Sequence, residues 1–139
     1  MLSEIVQRQK DLCPALKDVQ GLAALSQLRG DPPEHLLPAA YVVLLDELAG
    51  DSGITGGVQQ LVQLRFGIVL IVSGLVDDLG TGAVGALTEV RRQERAALLG
   101  WAPEGAQEGL SFDRGELMAV TAGTLRWMDI FQTTTIYRS

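Results

Sequence analysis

The residues with the most recognisable chemical spacing are three glycines in residues 80–85, which match the pattern G-x-G-x-x-G. Between a strand and a helix, this pattern lets backbone amides approach the pyrophosphate of a dinucleotide. Against this interpretation, Asp77 and Asp78 would place negative charge beside the phosphates. The segment after the helix, WAPEGAQEG, also lacks the pattern of the second parallel strand that such a unit requires. We therefore interpret the glycines as a helix start made of small residues.

Asp77 and Asp78 are also candidate metal ligands, with Glu89 or Asp113 as further oxygen donors. No ligand spacing connects these four residues. Adjacent acidic residues ahead of a helix more commonly stabilise its N-terminus, where the helix dipole favours negative charge. We therefore expect no metal and no cofactor.

Nucleophilic catalysis has equally little support in the sequence. The single Cys13 lies beside a proline, the single His35 lies in a proline-rich loop, and no G-x-S-x-G motif is present. A buried structural cysteine is the simpler interpretation of Cys13. We expect that the protein is not an enzyme and has no catalytic residues.

The amino-acid composition limits the kinds of molecule that this protein can bind. The 139 residues, 47% of them hydrophobic, suit one domain over residues 1–139. The 17 acidic against 11 basic residues give a net charge of −6, whereas nucleic-acid-binding proteins carry basic surfaces, so we expect no nucleic-acid recognition, although an acidic wall still allows DNA to pass. No run approaches the roughly 18 apolar residues of a membrane span. The charged N-terminal region and the single cysteine indicate a protein made in a cytosol.

The elements that must position these residues follow from hydrophobic periodicity. We predict helices over residues 2–12 and 79–98, strands over residues 39–46, 58–72 and 124–137, and short apolar pieces at 22–28, 110–112 and 116–120. The predicted fold class is α+β. It consists of a mostly antiparallel sheet with an extended β-hairpin arm and two main helices packed on the sheet.

The stretch VQQLVQLRFGIVLIV, residues 58–72, is about three times the length of an ordinary strand. One face is apolar except for Gln60, while the other changes from Gln59, Gln63 and Arg65 to Val69 and Ile71. We therefore expect its second half to be buried on both sides and its first half to project as an arm. The glycine-rich loop before it, residues 50–57, would lie at the tip of this arm.

Four residues are candidates for interfaces. Ile54 is the one large apolar residue of the glycine loop and the expected anchor for a partner, with Asp51 as a charge contact. The alternative is that this loop is only a hairpin connection. Arg65 is the only charge on the long strand, and Asp129 is the only acid among the apolar residues of the last strand. We predict that these two pair, within a subunit or between subunits.

Taken together, these segments resemble the tail terminator proteins of long, non-contractile-tailed phages. The resemblance covers residues 38–138 and the N-terminal helix, and is carried by AAYVVLLDE, QLVQLRFGIVLIV, LLGWAPEG and WMDIFQT. None of these is a catalytic motif. Residues 22–28 and 104–114 are where we expect departures from the family pattern.

The resemblance implies a virion protein, assembled in a bacterial cytoplasm, that forms a homohexameric ring on the head-proximal end of the tail. Such a ring binds the tail tube protein, stops tube polymerisation and presents a surface to a head–tail joining protein. Another head–tail joining or minor tail protein is the alternative. A small nucleotide-binding module or enzyme is a remote one.

Overall fold

A computed structural model describes residues 1–52 and 57–138 of the chain. In chain order the elements are α1 (Leu2–Leu12), β1 (Asp18–Gly21), α2 (Leu22–Ser26), a 3-10 turn (Glu34–Leu36), β2 (Ala39–Ser52), β3 (Gln59–Leu75), α3 (Thr81–Leu98), β4 (Ser111–Thr121) and β5 (Gly123–Arg138). The class is α+β, as predicted.

The five strands form one sheet in the order β1-β2-β3-β5-β4. The other neighbouring strands are antiparallel, but β1 runs parallel to β2, so the sheet is mixed and not the mostly antiparallel one predicted. Strand β1 was missed because it has only four residues, too few for a period of two to be recognised. The described residues contain one helix more than the two predicted. The additional helix is α2, which is formed by the first residues of the short apolar piece at 22–28.

The arm has a third strand that the sequence analysis did not foresee. Strand β5 pairs with β3 along its whole length, from Gln59 opposite Arg138 to Leu75 opposite Gly123. The long terminal run of threonine, aromatic and β-branched residues favours this extended conformation. The projecting half of β3 is therefore flanked by β2 on one side and β5 on the other, and is stiffer than a two-stranded hairpin.

The two faces of the sheet are covered unequally. We call the face under α1 and α3 the helix face; its buried core includes Phe66, Leu70 and Phe131. The Phe66 and Phe131 rings stack with centroids 5.8 Å apart. On the opposite face, a smaller cluster around Tyr41 and Ile71 lies under α2. The second half of β3 is buried on both sides, which confirms the prediction that its second face changes from polar and exposed to apolar and buried.

Apart from Leu110, the two short apolar pieces predicted at 110–112 and 116–120 belong to one strand, β4. Its pairing with β5 shifts register between Phe112 and Arg114 and again between Leu117 and Ala119. Each bulge adds a residue and reverses which side chains face the core, so the alternation characteristic of a strand is lost from the sequence. The result is one continuous edge strand.

Candidate interaction sites

Arg65 lies on the face opposite the helices, at the centre of an ion cluster that crosses the sheet. Its Nε donates to Asp46 Oδ1 at 2.9 Å, and one terminal nitrogen donates to Asp113 Oδ2 at 2.9 Å. The hydrogen bond from Arg65 lowers the pKa of Asp46 below its ordinary value. Nearby, the side chains of Gln63 and Gln132 hydrogen-bond across β3 and β5 at 2.7 Å. This surface is polar, exposed and already internally paired.

Asp129 has a different environment, because it is fully buried on the helix face. Its carboxylate accepts hydrogen bonds from Arg91 Nε at 3.0 Å and Trp127 Nε1 at 2.9 Å. The Arg91 guanidinium also lies 4.8 Å from the centre of the Trp127 ring. A Cβ at Gly115 would lie 2.6 Å from Asp129 Oδ1, so this position of β4 must stay without a side chain.

The predicted pair of Arg65 with Asp129 is therefore wrong within the subunit. Arg65 is opposite Gln132 in the β3–β5 register, and Asp129 is three residues from Gln132. Because successive side chains point to opposite faces, an offset of three places the two charges on different sides of the sheet. The sequence showed that Asp129 needed a partner, but Arg91 on α3 supplies it.

A second buried carboxyl group, Glu94, lies between α1 and α3. Burial, and secondarily the charge of Asp129, raise the pKa of Glu94 well above its ordinary value. Among the described residues, neither Glu94 oxygen nor the side-chain amide of Gln9 has a hydrogen-bond partner. Burial and the nearby Glu94 also raise the pKa of Cys13 to about 12, so this thiol is inert. Sequence reasoning missed Glu94, because Arg91, Arg92 and Arg95 lie around it in the sequence and a stretch of mixed charges is typical of a solvated helix face.

The glycine motif at the start of α3 has a packing role. The Asp77 carboxylate accepts a hydrogen bond from the Thr81 amide at 2.8 Å, at the helix N-terminus where a phosphate would otherwise bind. A Cβ at Gly82 would lie 3.0 Å from the Gly74 carbonyl oxygen, because β3 and α3 approach closely there. This contact accounts for the small residue at position 82 without a nucleotide.

The interface roles of Asp51 and Ile54, the two candidates in the glycine loop, stay predictions. Ile54 lies outside the described residues, and Asp51 is in the last part of β2. On the described part of the arm, Leu48 and Leu61 are 68% and 56% exposed. Apolar side chains of this size at the surface are typical of contact regions when they cluster.

Exposed apolar residues also follow both edges of the sheet, which sequence patterns did not reveal. Strand β1 covers only Ala39–Val42 of β2, and no strand among the described residues pairs with β2 beyond Val42 on that side. Leu44 and Leu48 are exposed on this free segment. At the other edge, Leu117, Met118 and Val120 of β4 are each about half exposed.

Within residues 1–52 and 57–138, no three His, Cys, Asp or Glu side chains are grouped closely enough to hold a metal ion. Over the same residues, none of the helices has the length and apolar character needed to cross a membrane.

Comparisons with known proteins add the following. A family model described as "Phage tail terminator protein" matches residues 1–139, the whole chain. No curated protein matches the chain in sequence. A solved chain from "Virion of native gene transfer agent (GTA) particle" shares the fold, with a TM-score of 0.60 and 18% sequence identity. The alignment covers 96% of this chain and 92% of that one.

Proposed function

This chain belongs to the phage tail terminator family, and from that premise we propose that it caps the head-proximal end of a phage tail tube. It is a structural tail protein of the virion. In the proposed role it stops tube polymerisation and provides the surface to which the head joins. The observation that carries this proposal is the family match over the full length of the chain.

In this role the chain acts as a homohexameric ring, with the tail tube protein on one side and a head–tail joining protein on the other. Two features support the proposal. A sheet with two free edges suits a ring, in which every subunit uses both edges. The net charge of −6 suits a channel through which DNA passes as cargo without binding.

The proposal is tested by polymerising the tail tube protein of the same phage in the presence of this chain. We expect tubes of restricted length, with an antibody against this chain labelling one end when tubes are viewed by electron microscopy. Tubes of unrestricted length and label only on tailless heads would contradict the terminator role and favour the alternative, a head–tail joining protein.

The glycine loop is proposed as the element that contacts the tube or a neighbouring subunit. Deleting residues 51–55 should leave the subunit folded, because the core lies in other segments. The deletion should yield tails of uncontrolled length or tails that do not join heads, as counted by electron microscopy and plaque assay. Normal tails and infectious particles would show that the loop is only a connector.

A further inference from the structure

The sheet has free edges on both sides, and they match each other. We propose that the free edge of β4 (Ser111–Thr121) in one subunit pairs antiparallel with the free part of β2, residues 43–52, in the next copy of this chain. The inference rests on the proposed ring and assigns the surfaces that form it. The subunit contact is then a continuation of the sheet from one copy into the next.

Strand direction supports this pairing. Strand β3 runs antiparallel to both β2 and β5, and β4 runs antiparallel to β5. Strand β4 therefore runs opposite to β2. If copies are related by rotation about an axis along the strands, β2 of the next copy keeps its direction and arrives antiparallel to β4. The alternation of the sheet continues across the contact without a break.

The free backbone and the exposed side chains also match. Free sheet edges present unpaired amide and carbonyl groups, and folded proteins normally protect them with short strands, charges or bulges. Strand β4 has a bulge and charges in its first half and a second bulge between Leu117 and Ala119, but Leu117, Met118 and Val120 are exposed in its second half. The free part of β2 likewise exposes Leu44 and Leu48. Leu44, Leu117 and Val120 lie on the helix face, opposite Phe66, Trp127 and Leu125, so pairing the two edges brings these three side chains together away from water.

The occupant is a second copy because both edges belong to one chain, run antiparallel to each other and expose apolar side chains on the same face of the sheet. Contact between two different surfaces of the same subunit is heterologous, and heterologous contacts generate closed rings when the rotation closes. Closure pairs both of these edges and, over the described residues, leaves unpaired the outer side of the four-residue β1, a short edge of the kind that folded proteins tolerate. It also leaves both ends of the strands uncovered, which are the ends that must meet the tube and the head in the proposed function.

The test is disulfide cross-linking in a Cys13→Ala background, which removes the only native thiol. One cysteine replaces Leu44 on β2, and a second replaces Leu117 or Val120 on β4, giving two double variants that sample the register; all three positions lie on the helix face, opposite Phe66, Trp127 and Leu125. The three replaced side chains are exposed, so folding should persist and is checked by circular dichroism. Rings assembled on tube ends are oxidised and separated by mass under denaturing conditions.

We expect at least one double variant to give a ladder of covalent oligomers that ends at the size of the ring. Each single-cysteine variant should stay monomeric, because the two positions lie on opposite partners. A matched control that combines cysteines at Leu48 and Leu117 should not cross-link, because both side chains are exposed but Leu48, opposite Gln63, points to the other face of the sheet.

Three other outcomes would overturn the assignment. Dimers from Leu117→Cys alone would indicate symmetric pairing of β4 with β4. A ring that forms on tubes, with no ladder in any double variant, would refute the edge contact and leave the proposed capping function intact. Failure of the unmodified chain to bind tube ends would refute that function as well.

Discussion

Asp129 brings a carboxylate into the apolar layer between the sheet and α3, where two side chains supply its hydrogen bonds. Burial of a charge is tolerated when it is paired and its remaining lone pairs are satisfied. Arg91 and Trp127 meet both conditions. The residue therefore acts as a clamp between α3 and β5, and its side chain is not part of the subunit surface.

Asp129→Ala should be strongly destabilising, because Arg91 loses its counter-charge and the indole N–H of Trp127 loses its hydrogen-bond acceptor inside the core. Removing one partner of a buried pair costs about 3–5 kcal/mol, and partial exposure of Arg91 favours the lower end. Urea unfolding followed by circular dichroism measures the loss. Asp46→Ala is the matched control, since its exposed pair with Arg65 should contribute much less. Equal losses in the two variants would contradict the clamp.

Glu94 makes stability depend on pH in a direction opposite to that of most carboxylates. Its folded-state pKa is raised, so the folded chain retains a proton that the unfolded chain releases above the ordinary glutamate pKa. The stability of the protein therefore falls as pH rises above about 4.3 and continues to fall until the raised pKa is reached. Asp129 opposes ionisation of Glu94, while Arg91 and Arg95 favour it.

Glu94→Gln keeps the shape of the protonated acid and cannot ionise. Its melting temperature should exceed that of the unmodified chain at pH 7, and the gap should shrink as the pH approaches 4. Glu89→Gln is a control on the same helix: hydrogen bonds from Arg92 lower the pKa of Glu89 to about 2, so this variant should show no such gain. A constant gap for Glu94→Gln at every pH would contradict the prediction.

At the scale of elements, α3 is positioned by the glycines with which it starts. Gly82 contacts the backbone of Gly74 at the end of β3, whereas Gly85 has open space where a side chain would project. The two glycines match one motif in the sequence but have different roles in the fold. Their substitutions can separate packing from helix propensity.

Gly85→Ala should stabilise the protein by about 1 kcal/mol, because alanine is the better helix former and meets no neighbour. Gly82→Ala should destabilise it by about 1–3 kcal/mol, since its Cβ would crowd the Gly74 carbonyl at 3.0 Å. Thermal unfolding of both variants under one condition measures the difference. If both substitutions destabilise the protein, Gly85 is needed for a reason other than the close contact between Gly82 and Gly74.

At the scale of the whole molecule, charge and sheet edges act against each other in assembly. Each 14.9 kDa subunit carries a net charge of −6, so neighbouring subunits would repel one another in the proposed ring. Exposed leucines at the edges favour contact. A lone subunit can then stay monomeric and assemble only where a tube end holds several copies together.

Added salt should shift this balance toward the ring, because it shortens the Debye length from about 10 Å at 0.1 M to about 3 Å at 1 M. Multi-angle light scattering at several protein concentrations should show an oligomer fraction that rises with sodium chloride. Sulfate at the same ionic strength should favour the oligomer further by strengthening apolar contact. A monomer under every condition, together with no recruitment to tails, would contradict the ring.

Periodicity in the sequence was sufficient to determine the long local elements. Helix α1 ends at Leu12, two residues before Pro14, and α3 ends before Gly100, which has the positive φ of a helix stop. The three long strands were also predicted, because hydrophobic alternation and β-branched residues are local signals. The family resemblance, based on the pattern of the whole chain, was confirmed.

The hairpin of β2 with β3 was predicted from the sequence, but the tertiary structure alone decided the other strand neighbours. The parallel pairing of β1, the insertion of β5 between β3 and β4, and the bulges of β4 depend on contacts between residues far apart in sequence. The same applies to the site residues. Asp129 was recognised as needing a partner, but the side of the sheet that it faces, and hence its pairing with Arg91, follows from strand register. Free edges likewise exist only once the strand order is set, because an edge is defined by the absence of a neighbour.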